Sequence, residues 1–138
     1  MVLNYMDSKL KQIYGEWIQI ADKDYSGAKK MFDDNWTDHQ YLICFLCQQA
    51  TEKYLKGYLA YHEEEIVKTH ILQDLIITCS KYSEDFNSLI EISRFLTQFA
   101  AQVRYPDTTF DITEIEAKKA LEYAETIIEF VKDKMQDV

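Results

Sequence analysis

The 138-residue sequence predicts an all-α protein: a single helical domain over 1–138, an up-and-down antiparallel bundle of four long helices plus one short helix. Three observations predict it. Only three glycines and one proline punctuate the chain, too few turn residues for a β-sandwich or barrel. Apolar residues recur in steps of three and four, the spacing of one helix face. Strand-like alternation does not persist anywhere, and neither a repeat nor a Gly/Pro-rich linker divides the chain.

Each element has its own local cause. Residues 1–13 read as a lead-in or a helical turn. From Tyr14, apolar residues fall at Trp17, Ile18, Ala21, Tyr25, Ala28 and Phe32, which marks a first helix ending at Asp33-Asp34-Asn35. Thr37 and Gln40 have capping-box spacing and open a second helix running to about His62. That helix is apolar on nearly every side from Tyr41 to Cys47, which predicts a central position. Its second half carries Gln49, Glu52, Lys53 and Lys56 on a polar side, with Glu52 and Lys56 in the favourable i, i+4 order. Gly57 within it predicts close approach of another helix. Thr69 is the expected N-cap of a short third helix, His70 to about Tyr82. Ser83 is the expected cap of a fourth, continuing to Val103 and stopped by Pro106. Thr113 and Glu116 form a second capping box, followed by a last helix with Ile115, Ala120, Leu121, Ala124, Ile127, Ile128, Val131 and Met135 on one stripe.

Composition limits the function classes. At 47% apolar residues, the chain has enough to bury a core and is not a disordered segment. Its net charge of -9 excludes a general nucleic-acid coat, which needs dense Lys and Arg to displace counterions, but not a local basic pocket. Cys44, Cys47 and Cys79 are an odd number in apolar surroundings and read as buried reduced thiols. The Cys44-x-x-Cys47 pair has no second Cys/His pair at ligand spacing, so no metal site is expected. No signal peptide precedes the first helix pattern, and the longest apolar run is far too short to span a bilayer. The expected location is therefore cytoplasmic, without a membrane.

Two segments carry the chemistry. Lys68-Thr69-His70 stands at an expected helix start, where free N–H groups, the helix dipole and the Lys68 charge can hold a phosphate. Ordinary capping by Thr69 uses the same residues. Arg104-Tyr105-Pro106-Asp107 ends an expected helix. Arg104 can complement the negative helix end, or hold phosphate beside a ring, Tyr105, able to stack on a base. His62 and His70 flank the acidic Glu63-Glu64-Glu65 connection, while His39 is expected on the surface. No Gly-rich phosphate loop or nucleophile elbow occurs.

Taken together, Cys47-Gln48-Gln49-Ala50-x-Glu52-Lys53-x-Leu55-Lys56, Lys68-Thr69-His70-x-Leu72-x-x-Leu75 and Arg104-Tyr105-Pro106-Asp107 resemble the HEPN family of small bacterial and archaeal helical domains. The resemblance runs from about Trp17 to Val131. It implies a helical bundle that commonly dimerises, often beside a minimal nucleotidyltransferase in a toxin–antitoxin-type module. It also implies that some members are metal-independent ribonucleases using an Arg followed four to six residues later by His. Here Arg104 matches the Arg, but the residues after it run Tyr105 to Asp111 without a His, and no His follows His70.

The resulting expectation is an accessory homodimer that associates with a nucleotide, RNA or a nucleotidyltransferase partner and uses no cofactor. Its phosphate- and nucleotide-binding candidates are Arg104, Tyr105, Asp107, Lys68, His70 and Lys53. Arg104 and Lys68 would hold phosphate, Tyr105 would stack on a base, and Asp107 would orient Arg104 or accept from a ribose hydroxyl. The alternative is a metal-independent ribonuclease pairing Arg104 with His70 or His62.

Overall fold

The computed structural model describes residues 2–65, 68–101 and 111–138. Among the described residues, five α-helices carry the fold: α1 (Val2–Asn35), α2 (Gln40–Tyr61), α3 (Leu72–Cys79), α4 (Ile90–Thr97) and α5 (Glu114–Gln136). Short 3-10 turns over Trp36–Asp38 and Glu84–Leu89 precede α2 and α4. Among the described residues there is no strand, and no helix is long and apolar enough to cross a membrane.

The all-α bundle is as the sequence predicts, with α2 at its centre. α2 packs against α1, α3, α4 and α5, because apolar side chains surround its first half. Ile43, Cys44, Cys47, Ala50, Tyr54 and Leu55 are all fully buried. The up-and-down order shows in side-chain pairs. Asp24 meets Lys53 and Asp7 meets Tyr61, so α1 and α2 run antiparallel. Phe86 meets Phe130 and Phe95 meets Tyr123, so the α4 arm runs antiparallel to α5. Gly57 does allow a close approach: a Cβ there would lie 2.9 Å from the Trp17 Cβ.

Element boundaries differ from expectation where tertiary contacts intervene. α1 begins at Val2, well before the periodic stripe, and Asp7 is anchored by the Tyr61 hydroxyl. The Thr37–Gln40 capping box does not form. Thr37 instead donates to Asn35 Oδ1 within the 3-10 turn, and the N-cap of α2 is His39. Thr69 does not cap α3 either; its Oγ1 accepts from the Ile71 N–H, one residue short of the helix. The first helical amide of α3, Leu72 N–H, donates to Thr97 Oγ1 on α4 at 3.0 Å. The expected fourth helix divides into the Glu84–Leu89 3-10 turn and α4, which ends at Thr97 rather than near Pro106. Ser88, Ser93 and Thr97 hydroxyls all bond to nearby carbonyls in this arm, the local competition that keeps such residues from extending a helix. The Thr113–Glu116 capping box forms as predicted. Ile115 leaves the apolar stripe of α5 and is 78% exposed.

Candidate functional site

Three polar side chains break the apolar surface of α2 at intervals of four: Gln48, Glu52 and Lys56. That spacing places them in one row on the helix. The row faces inward, and all three are buried. An ionised pair inside a bundle is costly unless geometry and further hydrogen bonds compensate the lost water. Here they do. Lys56 Nζ lies 3.0 Å from Glu52 Oε2. Glu52 Oε1 accepts from Gln48 Nε2 at 3.1 Å and meets His70 Nδ1 at 2.9 Å. Gln48 Nε2 also donates to the His70 carbonyl at 3.1 Å, and Gln49 Nε2 donates to Gln48 Oε1 at 2.7 Å. The α2 row thus grips both the backbone and the ring of His70. Burial alone would raise the Glu52 carboxyl; the hydrogen bonds from His70, Gln48 and Lys56, with the Lys56 charge, outweigh it and hold the group below the usual glutamate range.

The outcome is an asymmetric site. Glu52 is 6% exposed, whereas the His70 side chain is 67% exposed. His70 therefore has Nδ1 on a buried carboxylate while most of its ring is exposed, and Nε2 has no hydrogen-bond partner among the described residues. Lys68 is exposed two residues away on the same segment.

The remaining candidates separate. Lys53 lies one position beyond Glu52, hence on another face of α2, and is bound by Asp24 of α1 at 2.5 Å. His62 is enclosed by rings: Tyr82 stacks on it at 4.1 Å, Tyr58 lies 4.6 Å away and Tyr61 5.2 Å. Its Nε2 is buried with no hydrogen-bond partner among the described residues. Burial lowers its proton affinity, with Glu64 opposing. Arg104, Tyr105 and Asp107 lie outside the described residues. Cys44, Cys47 and Cys79 are buried free thiols. Burial pushes the Cys44 thiol up to about 12 and raises the other two, so none is poised as a nucleophile. Among the described residues, no group of three or more His, Cys, Asp or Glu side chains is placed to hold a metal ion.

Sequence reasoning singled out Lys68 and His70 but placed Glu52 and Lys56 on the polar side of α2, as an i, i+4 pair, without foreseeing their burial. It overlooked Gln48 as a member of the row. The available signal was the Gln48-x3-Glu52-x3-Lys56 spacing, which sets these three in one row on a helix whose first half is apolar on nearly every side. A polar row there must either reach water or find a partner.

The family model described as HEPN domain matches residues 14–134. The chain belongs to the HEPN family. Its bundle superposes on an archaeal HEPN homologue, ST0689, with a TM-score of 0.69 at 25% identity, covering 88% of this chain and 96% of that one. TT1696 from Thermus thermophilus gives 0.72 at 26% identity, covering 88% and 97%. A HEPN domain protein from Thermotoga maritima, tm0613, shares the fold with a TM-score of 0.72 at 22% identity, over 89% and 99% of the two chains. No curated protein matches this chain. In this HEPN domain, the Gln48–Glu52–Lys56 row and the Lys68–His70 segment both fall inside the matched region.

Proposed function

We propose that this HEPN chain is a nucleotide- or RNA-associated accessory domain. It works as a homodimer with a minimal nucleotidyltransferase partner, in a toxin–antitoxin-type module. The observation that supports a phosphate-associated role is the exposed Lys68–His70 segment, clamped to α2 by Gln48 and Glu52. A cation and an imidazole on an anchored segment are suited to a phosphate ester, since little ordering remains to oppose binding. Arg104 supplies the second phosphate contact, Tyr105 the stacking ring and Asp107 the group that orients Arg104. The acidic balance of the chain suits a small ligand or a protein partner better than a long nucleic acid.

The test is a thermal-shift series with nucleotides and short RNAs on the wild type, Arg104→Ala and Lys68→Ala. A ligand of the native state raises the melting temperature by mass action. A shift lost in both variants supports the phosphate site. An unchanged shift in both removes these residues from it, and copurification with a partner protein in the absence of any bound nucleotide would leave the interaction role alone.

The Glu52–His70 contact favours a second reading, a metal-independent ribonuclease with Arg104 and His70. An imidazole held by a carboxylate is a suitable general acid–base group. His62 is less suited, because both its burial and its ring contacts keep it from a substrate. Cleavage of single-stranded RNA in excess chelator, abolished by His70→Ala and retained by His62→Phe, is the result this reading requires.

A further inference from the structure

We propose that Glu52 is a positioning residue: it fixes His70 as the Nδ1–H tautomer, so that Nε2 faces solvent as an acceptor for a ribose hydroxyl next to a phosphate. The proposal rests on the reading of Lys68 and His70 as a phosphate-ester site and names what that site recognises.

The argument is one of hydrogen-bond valence. Both Glu52 oxygens are occupied by donors: Gln48 Nε2 on Oε1, and Lys56 Nζ on Oε2. An ionised carboxylate only accepts. His70 Nδ1, 2.9 Å from Oε1, must therefore carry the proton. In a neutral imidazole the other nitrogen is then an acceptor. Nε2 is thus left as a lone pair on an exposed ring whose own carbonyl is held by Gln48. An acceptor on the segment that also carries the exposed Lys68 charge complements a ligand with a hydroxyl donor and a phosphate on adjacent atoms. The 2′-hydroxyl and 3′-phosphate of a ribonucleotide have that arrangement, and a deoxyribonucleotide lacks the donor.

Glu52→Gln tests this while preserving shape. Lys56 can only donate, so it takes the new amide oxygen. The amide NH2 then takes the Oε1 position, where Gln48 Nε2 gives up its bond and keeps the one to the His70 carbonyl; the NH2 demands an acceptor at Nδ1, which turns the ring to the Nε2–H form. Long-range proton–nitrogen NMR reads the tautomer directly in the full-length chain at about pH 8, where an ordinary His is neutral. His39→Gln and His62→Gln spectra assign the three rings. The expected result is Nδ1–H at His70 in the wild type and a change towards Nε2–H in Glu52→Gln. Wild-type His70 already in the Nε2–H form overturns the proposal without any variant; so does a tautomer that Glu52→Gln leaves unmoved.

The second arm titrates adenosine 3′-monophosphate against its 2′-deoxy analogue. The wild type is expected to prefer the ribonucleotide by about 2- to 10-fold, the worth of one hydrogen bond, and Glu52→Gln to lose that preference. Equal binding of both to the wild type overturns the hydroxyl assignment. Binding of neither, with the tautomer as expected, overturns the phosphate-site reading and with it the hydroxyl assignment, while the Glu52 positioning role stands on the spectrum.

Discussion

Glu52 and Lys56 show what a polar pair becomes when a bundle closes over it. On an exposed helix such an i, i+4 pair contributes a few tenths of a kcal/mol. Buried, its removal is governed by what remains. Glu52→Ala strands the Lys56 ammonium away from water, and truncating one partner of a buried pair costs about 3–5 kcal/mol. Urea unfolding of Glu52→Ala should show a loss of that order, and Glu52→Leu/Lys56→Met should recover much of it. A loss below about 1 kcal/mol would place the pair in solvent contact. His62 governs a different pH window. Its folded pKa lies below the ordinary 6.5 because burial disfavours the imidazolium. The unfolded chain therefore binds a proton that the folded chain refuses, and stability falls as pH drops below about 6.5. One proton limits the slope to about 1.4 kcal/mol per pH unit. Glu52, Glu64 and Asp7 also have lowered values and act in the same direction, their stabilisation being lost only in a more acid window. Unfolding at pH 7, 6 and 5 should show the His62 slope, and His62→Phe, which keeps the ring stack, should flatten it. An unchanged slope in that variant would assign the effect to another group.

At the scale of elements, the glycines of α1 and α2 separate packing from propensity. Gly57 lies against Trp17, and an added Cβ would come within 2.9 Å of the Trp17 Cβ, which is fixed to the backbone and cannot swing aside. Overpacking costs about 1–3 kcal/mol, while replacing a helical Gly by Ala returns about 1. Gly57→Ala is expected to be destabilising by up to about 2 kcal/mol on this balance. At Gly15 an added Cβ would meet nothing within 4 Å. Gly15→Ala should therefore stabilise by about 0.5–1 kcal/mol. Chemical denaturation of the two variants checks both signs at once, and a stabilised Gly57→Ala would mean that α1 is free to move off α2. The start of α3 teaches the complementary lesson. Thr69 has the right residue type for its cap, yet Thr97, twenty-five residues beyond Leu72, fills that role. Capping rules name the groups that need partners; they do not say that the partner is local.

For the whole molecule, charge decides how binding should respond to salt. With a net charge of -9, the proposed ligand site has three permanent cations among its candidates, Lys53, Lys68 and Arg104, and Lys53 is paired to Asp24. Two phosphate contacts on a single strand predict a slope of log K against log salt of about -1.4. Binding isotherms of a short RNA at several salt concentrations measure it. A slope several times steeper would require a basic surface that this composition does not supply, and would move recognition away from the Lys68–His70 segment.

Much of the architecture was legible because it depends on local periodicity. The apolar steps in α1, α2 and α5 mark faces that must be buried wherever the helices pack, and a helix apolar on every side must be central. The Thr113–Glu116 box was legible for the same reason, its partners being three residues apart. The motif residues Lys68 and His70 could be named from the chain, and so could the HEPN family. Tertiary structure alone decided that Glu52 and Lys56 are inside, that Gln48 and Glu52 hold His70, that His62 is enclosed by tyrosines, and that Lys53 belongs to Asp24. Each of these depends on a partner distant in sequence: the segments that close over the row, His70 for Glu52, Tyr82 for His62 and Asp24 for Lys53. A helix pattern fixes which side chains share a face, but what that face meets depends on how the helices close, and burial rather than residue type sets the energy of the charges they enclose.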